Sequence, residues 1–161
     1  MPNNISQYEI ALGIARKAHK GQVDKAGRDY LEHPLHLAAQ FEDDDHKAVA
    51  MLHDVLEDTD LTADYLREQG ISDHNIRSVV CLTKKDGESA DVYYGRVMSD
   101  RVATDIKIAD TEHNKDLTRL SLAGIELTDH HREKAEEYTR HNELLREHRR
   151  RMGWDSTTSH L

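Results

Sequence analysis

The sequence predicts an all-α fold, and three observations carry that expectation. Apolar residues recur at helical spacing, no segment reads convincingly as a strand, and only two prolines, Pro2 and Pro34, interrupt 161 residues. Helices are expected near 5–20, 34–42, 46–57, 62–69, 73–83, 89–99, 101–113 and 128–151. Between the first two, the loop from Gly21 to Glu32 carries Lys25, takes backbone freedom from Gly27 and delivers His33, so it is expected to wall a pocket. Pro34 suits the first turn of the second helix, where its missing donor costs nothing.

The third helix follows the acidic connection Glu42–Asp45. Residues 48–59 form an apolar run carrying His53, Asp54, Glu57 and Asp58. In one continuous helix His53 lies beside Glu57 and Asp54 beside Asp58. His53 and Asp54 then point about 100° apart, so they share a metal only in the sector between them. The helix near 73–83 holds Cys81 within an apolar stretch, as a buried inert thiol, and an exposed connection follows at 84–88. Along 101–113 Lys107, Asp110 and Asn114 line one face and Val102, Ile106 and Ala109 a neighbouring one. The last helix is strongly charged. Its histidines, His130, His131, His141 and His148, are expected to be solvated, and Arg149–Arg151 to complement the helix dipole.

By size, residues 1–152 form a single domain, and 153–161 a polar, mobile tail. With one Trp and one Phe, the core must be built from Leu, Ile, Val, Ala and Met. A formal charge of −9 argues against a nucleic-acid partner, but a phosphorylated small molecule needs only local cations. One cysteine excludes an internal disulfide. The first residues lack a secretory pattern and no run approaches a membrane span, so a cytoplasmic protein without a membrane partner is expected. Self-association is left open.

His33, His53, Asp54 and Asp110 supply two imidazoles and two carboxylates, a set suited to one divalent metal and to hydrolysis. A mixed nitrogen and oxygen site suits Mn²⁺, with Fe²⁺ or Zn²⁺ as alternatives, and leaves positions for water and substrate. His36, one turn from His33, competes for the same role. Glu57 or Asp58 would orient or deprotonate the attacking water. Lys25 and Lys107, with Arg28 or Lys84, would neutralise phosphate charge, while His19 and His113 either line the pocket or pack helices.

Six segments in order, Ala18-His-Lys-Gly-Gln22, Lys25-Ala-Gly27, Tyr30-Leu-Glu-His-Pro34, Leu52-His-Asp-Val-Leu-Glu-Asp-Thr59, Leu82-Thr-Lys84 and Ile106-Lys-Ile-Ala-Asp110 with His113-Asn114, resemble the hydrolase domain of RelA/SpoT-type alarmone enzymes, within the HD-domain metal phosphohydrolases. The resemblance runs from Ala15 to roughly Leu120. It implies an HD-domain helical bundle, a single Mn²⁺, and removal of the 3′-pyrophosphate from guanosine tetra- or pentaphosphate, with no synthetase half. It also implies His33, His53, Asp54 and Asp110 as metal ligands, Glu57 and Asp58 as the catalytic pair, and Lys25 and Asn114 as substrate contacts. The pattern breaks at Asp24, where the family usually has an arginine stacked on guanine, and at Thr111, where an arginine is common. An aspartate cannot stack as a guanidinium does, so an arginine restored at 24 is expected to improve the grip on the base. Alternatives are the same reaction on adenosine alarmones, a broader HD nucleotide phosphohydrolase, and a non-catalytic nucleotide-binding module.

Overall fold

A computed structural model of the chain describes residues 5–155. Within them lie ten helices: α1 (Gln7–Ala18), α2 (Glu32–Ala38), α3 (Asp44–Leu52), α4 (Val55–Asp58), α5 (Ala63–Glu68), α6 (Asp73–Leu82), α7 (Ala90–Met98), α8 (Arg101–Asn114), α9 (Thr118–Leu122) and α10 (Asp129–Arg151). The all-α expectation holds, and the only β-type pairing among the described residues is an isolated bridge between Val23 and Asp29. Most of the helices are too short to persist alone, so packing must hold them. Their starts are nevertheless written locally. Ser6, Asp43, Thr62, Ser72, Ser89, Asp100 and Thr128 each accept a backbone N–H of the first turn that follows.

α3 is the hub. Ala48, Val49, Ala50, Met51 and Leu52 are all fully buried, because α1, α2, α6 and α8 pack around the helix. A segment apolar on every side belongs in the centre of a bundle. The core is largely the aliphatic one expected, with Tyr93 and Tyr94 added and Cys81 buried at its edge.

Two departures from the expected elements matter for the site. The run near 46–57 is not one helix. His53 closes α3 and Asp54, at φ −108° and ψ 0°, opens α4. His53 Nδ1 lies 2.7 Å from the Ala50 carbonyl, the acceptor that Asp54 N–H would use in an unbroken helix. Side chain thus replaces backbone at the break. The second departure is α9, a five-residue helix without a side-chain cap, which carries Leu120 into the interior and Arg119 toward the loop before α2.

That loop is a tight reversal. Asp24 N–H donates to Arg28 O at 2.8 Å and Tyr30 N–H to Gln22 O at 2.9 Å, with Gly27 at φ +78°, a conformation that favours glycine. Asp24 Oδ1 accepts from Ala26 N–H at 2.8 Å and Arg28 N–H at 3.0 Å, closing the turn from inside.

α10 packs along α8. Buried Asn142 donates to Ile108 O at 3.1 Å and to Thr111 Oγ1 at 3.0 Å, so Thr111 is a fully buried seam residue with no room for an arginine. The end of α10 is less solvated than expected: Arg149 pairs with Asp105 at 3.2 Å and His148 Nε2 meets Met98 O at 2.9 Å. His141 stacks on Tyr94 at 4.1 Å. Of the expected tail, Trp154 accepts a hydrogen bond from Arg101 through its carbonyl and packs edge-on to His148; residues 156–161 lie outside the described residues. No helix of the described residues is long and apolar enough to cross a membrane.

Candidate metal centre

Three elements converge where α3 breaks. α2 presents His33 from its first turn, the α3–α4 junction presents His53 and Asp54, and α8 presents Asp110. His33, His53 and Asp54 each offer a ligand atom within 4.8 Å of the others, a group that could hold a metal ion. Asp110 adjoins that group. Its Oδ1 lies 2.8 Å from His33 Nε2 and 3.5 Å from His53 Nε2. His36 is not part of it, and stacks on His113 at 4.1 Å.

The donor set fits a divalent cation. The contact with Ala50 O puts the proton of a neutral His53 on Nδ1 and leaves a lone pair on Nε2. Nε2 is buried without a hydrogen-bond partner, 3.1 Å from Asp54 Oδ2. Burial opposes a charge on His53, but Asp54 and Asp110 raise its proton affinity well above the ordinary imidazole, so Nε2 holds either a proton or, in its place, a cation. His33 is oriented in a similar way, with Nδ1 2.7 Å from His113 Nδ1. Burial, then the charges of Arg119 and His33, push the His113 imidazole down to about 4, so it stays neutral and can accept from His33.

The surrounding charges keep the carboxylates ionised. Burial works against Asp110, but Lys107, followed by His33 and His53, holds its carboxyl well below the usual range. Burial likewise opposes Asp54, yet His53 brings it down to about 2. Tyr30 donates its hydroxyl to Asp54 Oδ2, and burial together with Asp54 raises the phenol, so it remains a donor. Glu57 and Asp58 shift the other way. Burial first, and then repulsion from Asp54, raises both, making them stronger bases than solvated carboxylates. Glu57 Oε1 is anchored by Lys84 N–H at 2.7 Å.

The expected substrate contacts divide. Lys25 and Asn114 line a cavity of about 290 Å³ that reaches His33 and Asp54 and is also lined by Leu117, Leu120 and Tyr138. Asn114 also donates to Asp110 Oδ1 at 3.1 Å. Lys107 is turned inward, with Nζ 2.9 Å from Asp110 Oδ2 and 5.3 Å from the Tyr93 ring centroid. Arg28 pairs with Glu32 at the surface, and Lys84 contributes its backbone. His19 is buried against Tyr30 with ring centroids 4.6 Å apart.

Tyr30 and Arg119 are among the cavity residues to which the sequence assigns no role. Tyr30 lies in the Tyr30–Pro34 motif, which gives no sign of its partner, 24 positions away. Arg119, 3.6 Å from Asp24, had no linear signal.

No protein-family model matches the chain. It is 39% identical over 116 residues, 63% of its length, to the guanosine-3′,5′-bis(diphosphate) 3′-pyrophosphohydrolase of Haemophilus influenzae, covering 17% of that protein. A protein of the same description from Aquifex aeolicus is 35% identical over 42% of the chain and 10% of its own length. A GTP pyrophosphokinase of Streptomyces coelicolor is 34% identical over 70% of the chain and 15% of its own length. The chain therefore spans less than a fifth of these relatives. It also shares its fold with a solved structure described as a metazoan ortholog of SpoT that hydrolyses ppGpp and plays a role in starvation responses. That match has a TM-score of 0.65 at 20% identity and covers 96% of this chain and 99% of the other.

Proposed function

From the premise that the chain is a relative of the RelA/SpoT-type enzymes over their hydrolase segment, we propose that it removes the 3′-pyrophosphate of guanosine tetra- or pentaphosphate in the cytoplasm, giving GDP or GTP and pyrophosphate. The observation that carries this reading is the orphaned, buried Nε2 of His53 set between two ionised carboxylates beside a cavity to which Lys25, Arg119 and Lys134 contribute. His33, His53, Asp54 and Asp110 would hold one divalent ion, Mn²⁺ being the proposed occupant of this nitrogen and oxygen donor set. When bound, such an ion lowers the pKa of a water and polarises a phosphoryl oxygen.

The chain's own residues supply the rest. Ala50 O and His113 fix the two imidazoles, while Tyr30, Lys107 and Asn114 fix the carboxylates, so the donor atoms are oriented before substrate arrives. Glu57 or Asp58 takes a proton from the attacking water; the raised proton affinity of both supports that role. Water adds to the phosphorus attached to the 3′-oxygen, the bond between them breaks, and the ribose 3′-oxygen leaves and is protonated. Lys25 and Asn114 would hold the nucleotide in the cavity.

The test is product analysis after incubating Mn²⁺-loaded protein with guanosine and adenosine 3′-pyrophosphates and simple nucleotide monophosphates. The proposal expects pyrophosphate from the guanosine tetraphosphate. Turnover of the adenosine compound alone would move the reading to adenosine alarmones, release of orthophosphate from monophosphates to a broader phosphohydrolase, and no turnover at all to a binding module.

A further inference from the structure

A nucleotide phosphorylated at both ends presents two anionic clusters, and on the reading above the metal centre engages only the 3′ one. We propose that Arg119, poised by Asp24, grips the 5′-phosphates and makes the site selective for nucleotides that carry them. Arg119 comes from α9 and faces the Asp24 carboxylate at 3.6 Å, longer than a hydrogen bond. The partner is held in place because Asp24 Oδ1 is engaged by Ala26 and Arg28. Arg119 Nε is buried without a hydrogen-bond partner while about a third of the side chain, 34%, is exposed, so a guanidinium turned from Asp24 toward a phosphate would gain the partner it lacks.

Its position suits the task. Arg119 lines the cavity that reaches His33 and Asp54 and also borders two neighbouring recesses. Lys25 and Lys134 line the same cavity, adding positive charge. The neutral, flat part of a nucleotide has Leu117, Leu120 and Tyr138 to pack against and does not call for the guanidinium. A planar fork of parallel N–H donors matches a phosphate. Asp24 would hold Arg119 in the empty cavity and release it to the more highly charged ligand.

Calorimetric titration of the Mn²⁺-loaded protein with guanosine and with guanosine 5′-diphosphate tests this without requiring turnover. A failure of hydrolysis would therefore defeat the function proposed above while leaving this measurement decisive. The expected result is that Arg119→Ala loses about tenfold in affinity for the diphosphate and nothing for guanosine, the scale of one charge-assisted contact. Arg119→Lys, which keeps the charge without the fork, should fall between. Asp24→Asn, which keeps the Oδ1 acceptor, should tighten the diphosphate several-fold by freeing Arg119. An equal loss for both ligands in Arg119→Ala and Arg119→Lys would assign Arg119 to the base, the sugar or the fold. Unchanged diphosphate affinity, or a wild type that binds the diphosphate no better than guanosine, would overturn the proposal outright.

Discussion

The Asp24 carboxylate closes the loop turn with one oxygen and faces Arg119 with the other. In sequence, Asp24 shows only the loss of a stacking cation, since neither the turn nor the partner 95 positions away is visible in a linear pattern. Restoring an arginine should accordingly harm rather than help. Asp24→Arg removes two backbone-to-carboxylate bonds and sets like charges together, and should destabilise the fold by roughly 1–3 kcal/mol in urea titration; full stability with tighter guanosine binding would vindicate the stacking view. Glu57 gives a second test at this scale. Glu57→Gln should keep its metal content yet slow turnover by on the order of 10²–10⁴, because it removes a base without removing a proposed ligand. Loss of metal in that variant would make Glu57 a ligand instead.

Helix type and order were legible because the apolar spacing is regular and the first turns are capped by Ser, Thr and Asp. The break at His53–Asp54 was not, because nothing local forbids a helix there. There the His53 ring takes the Ala50 carbonyl, a local contact, and Asp54 is held by Tyr30, a partner that only the tertiary fold supplies. α9 escaped for the opposite reason, being too short for a period and lacking a cap. The connection into α7 offers a pH test away from the metal centre. Glu88 pairs with Arg96, whose guanidinium also donates to Thr83 O at 2.7 Å. The Arg96 hydrogen bond, helped by Lys85 N–H, brings the Glu88 carboxyl from an ordinary 4.5 down to about 2. A depressed folded value means the stabilisation is present above about 4.5 and disappears as pH falls toward 2. The melting temperature of wild type should thus exceed that of Glu88→Gln at pH 6, and the gap should close by pH 2; a gap independent of pH would mean that the pair is not what stabilises this connection.

Taken whole, the molecule is an acidic chain of net charge −9 whose cavity beside the metal centre is nevertheless lined in part by Lys25, Arg119 and Lys134. The proposed ligands could be picked out in sequence because imidazoles and carboxylates recur in a recognisable order, whereas Tyr30 and His113, which orient Asp54 and His33, become their neighbours only on folding. Four convergent groups should bind about one divalent ion per chain by elemental analysis. His53→Ala should lower that occupancy sharply, and undiminished metal would remove His53 from the set. The most direct test of the central claim is hydrolysis of guanosine tetraphosphate in ¹⁸O-enriched water by the Mn²⁺-loaded protein, read by mass spectrometry of both products. Attack at phosphorus predicts GDP free of label and pyrophosphate carrying the solvent oxygen. Label in the nucleotide, or orthophosphate released stepwise in place of pyrophosphate, would contradict it.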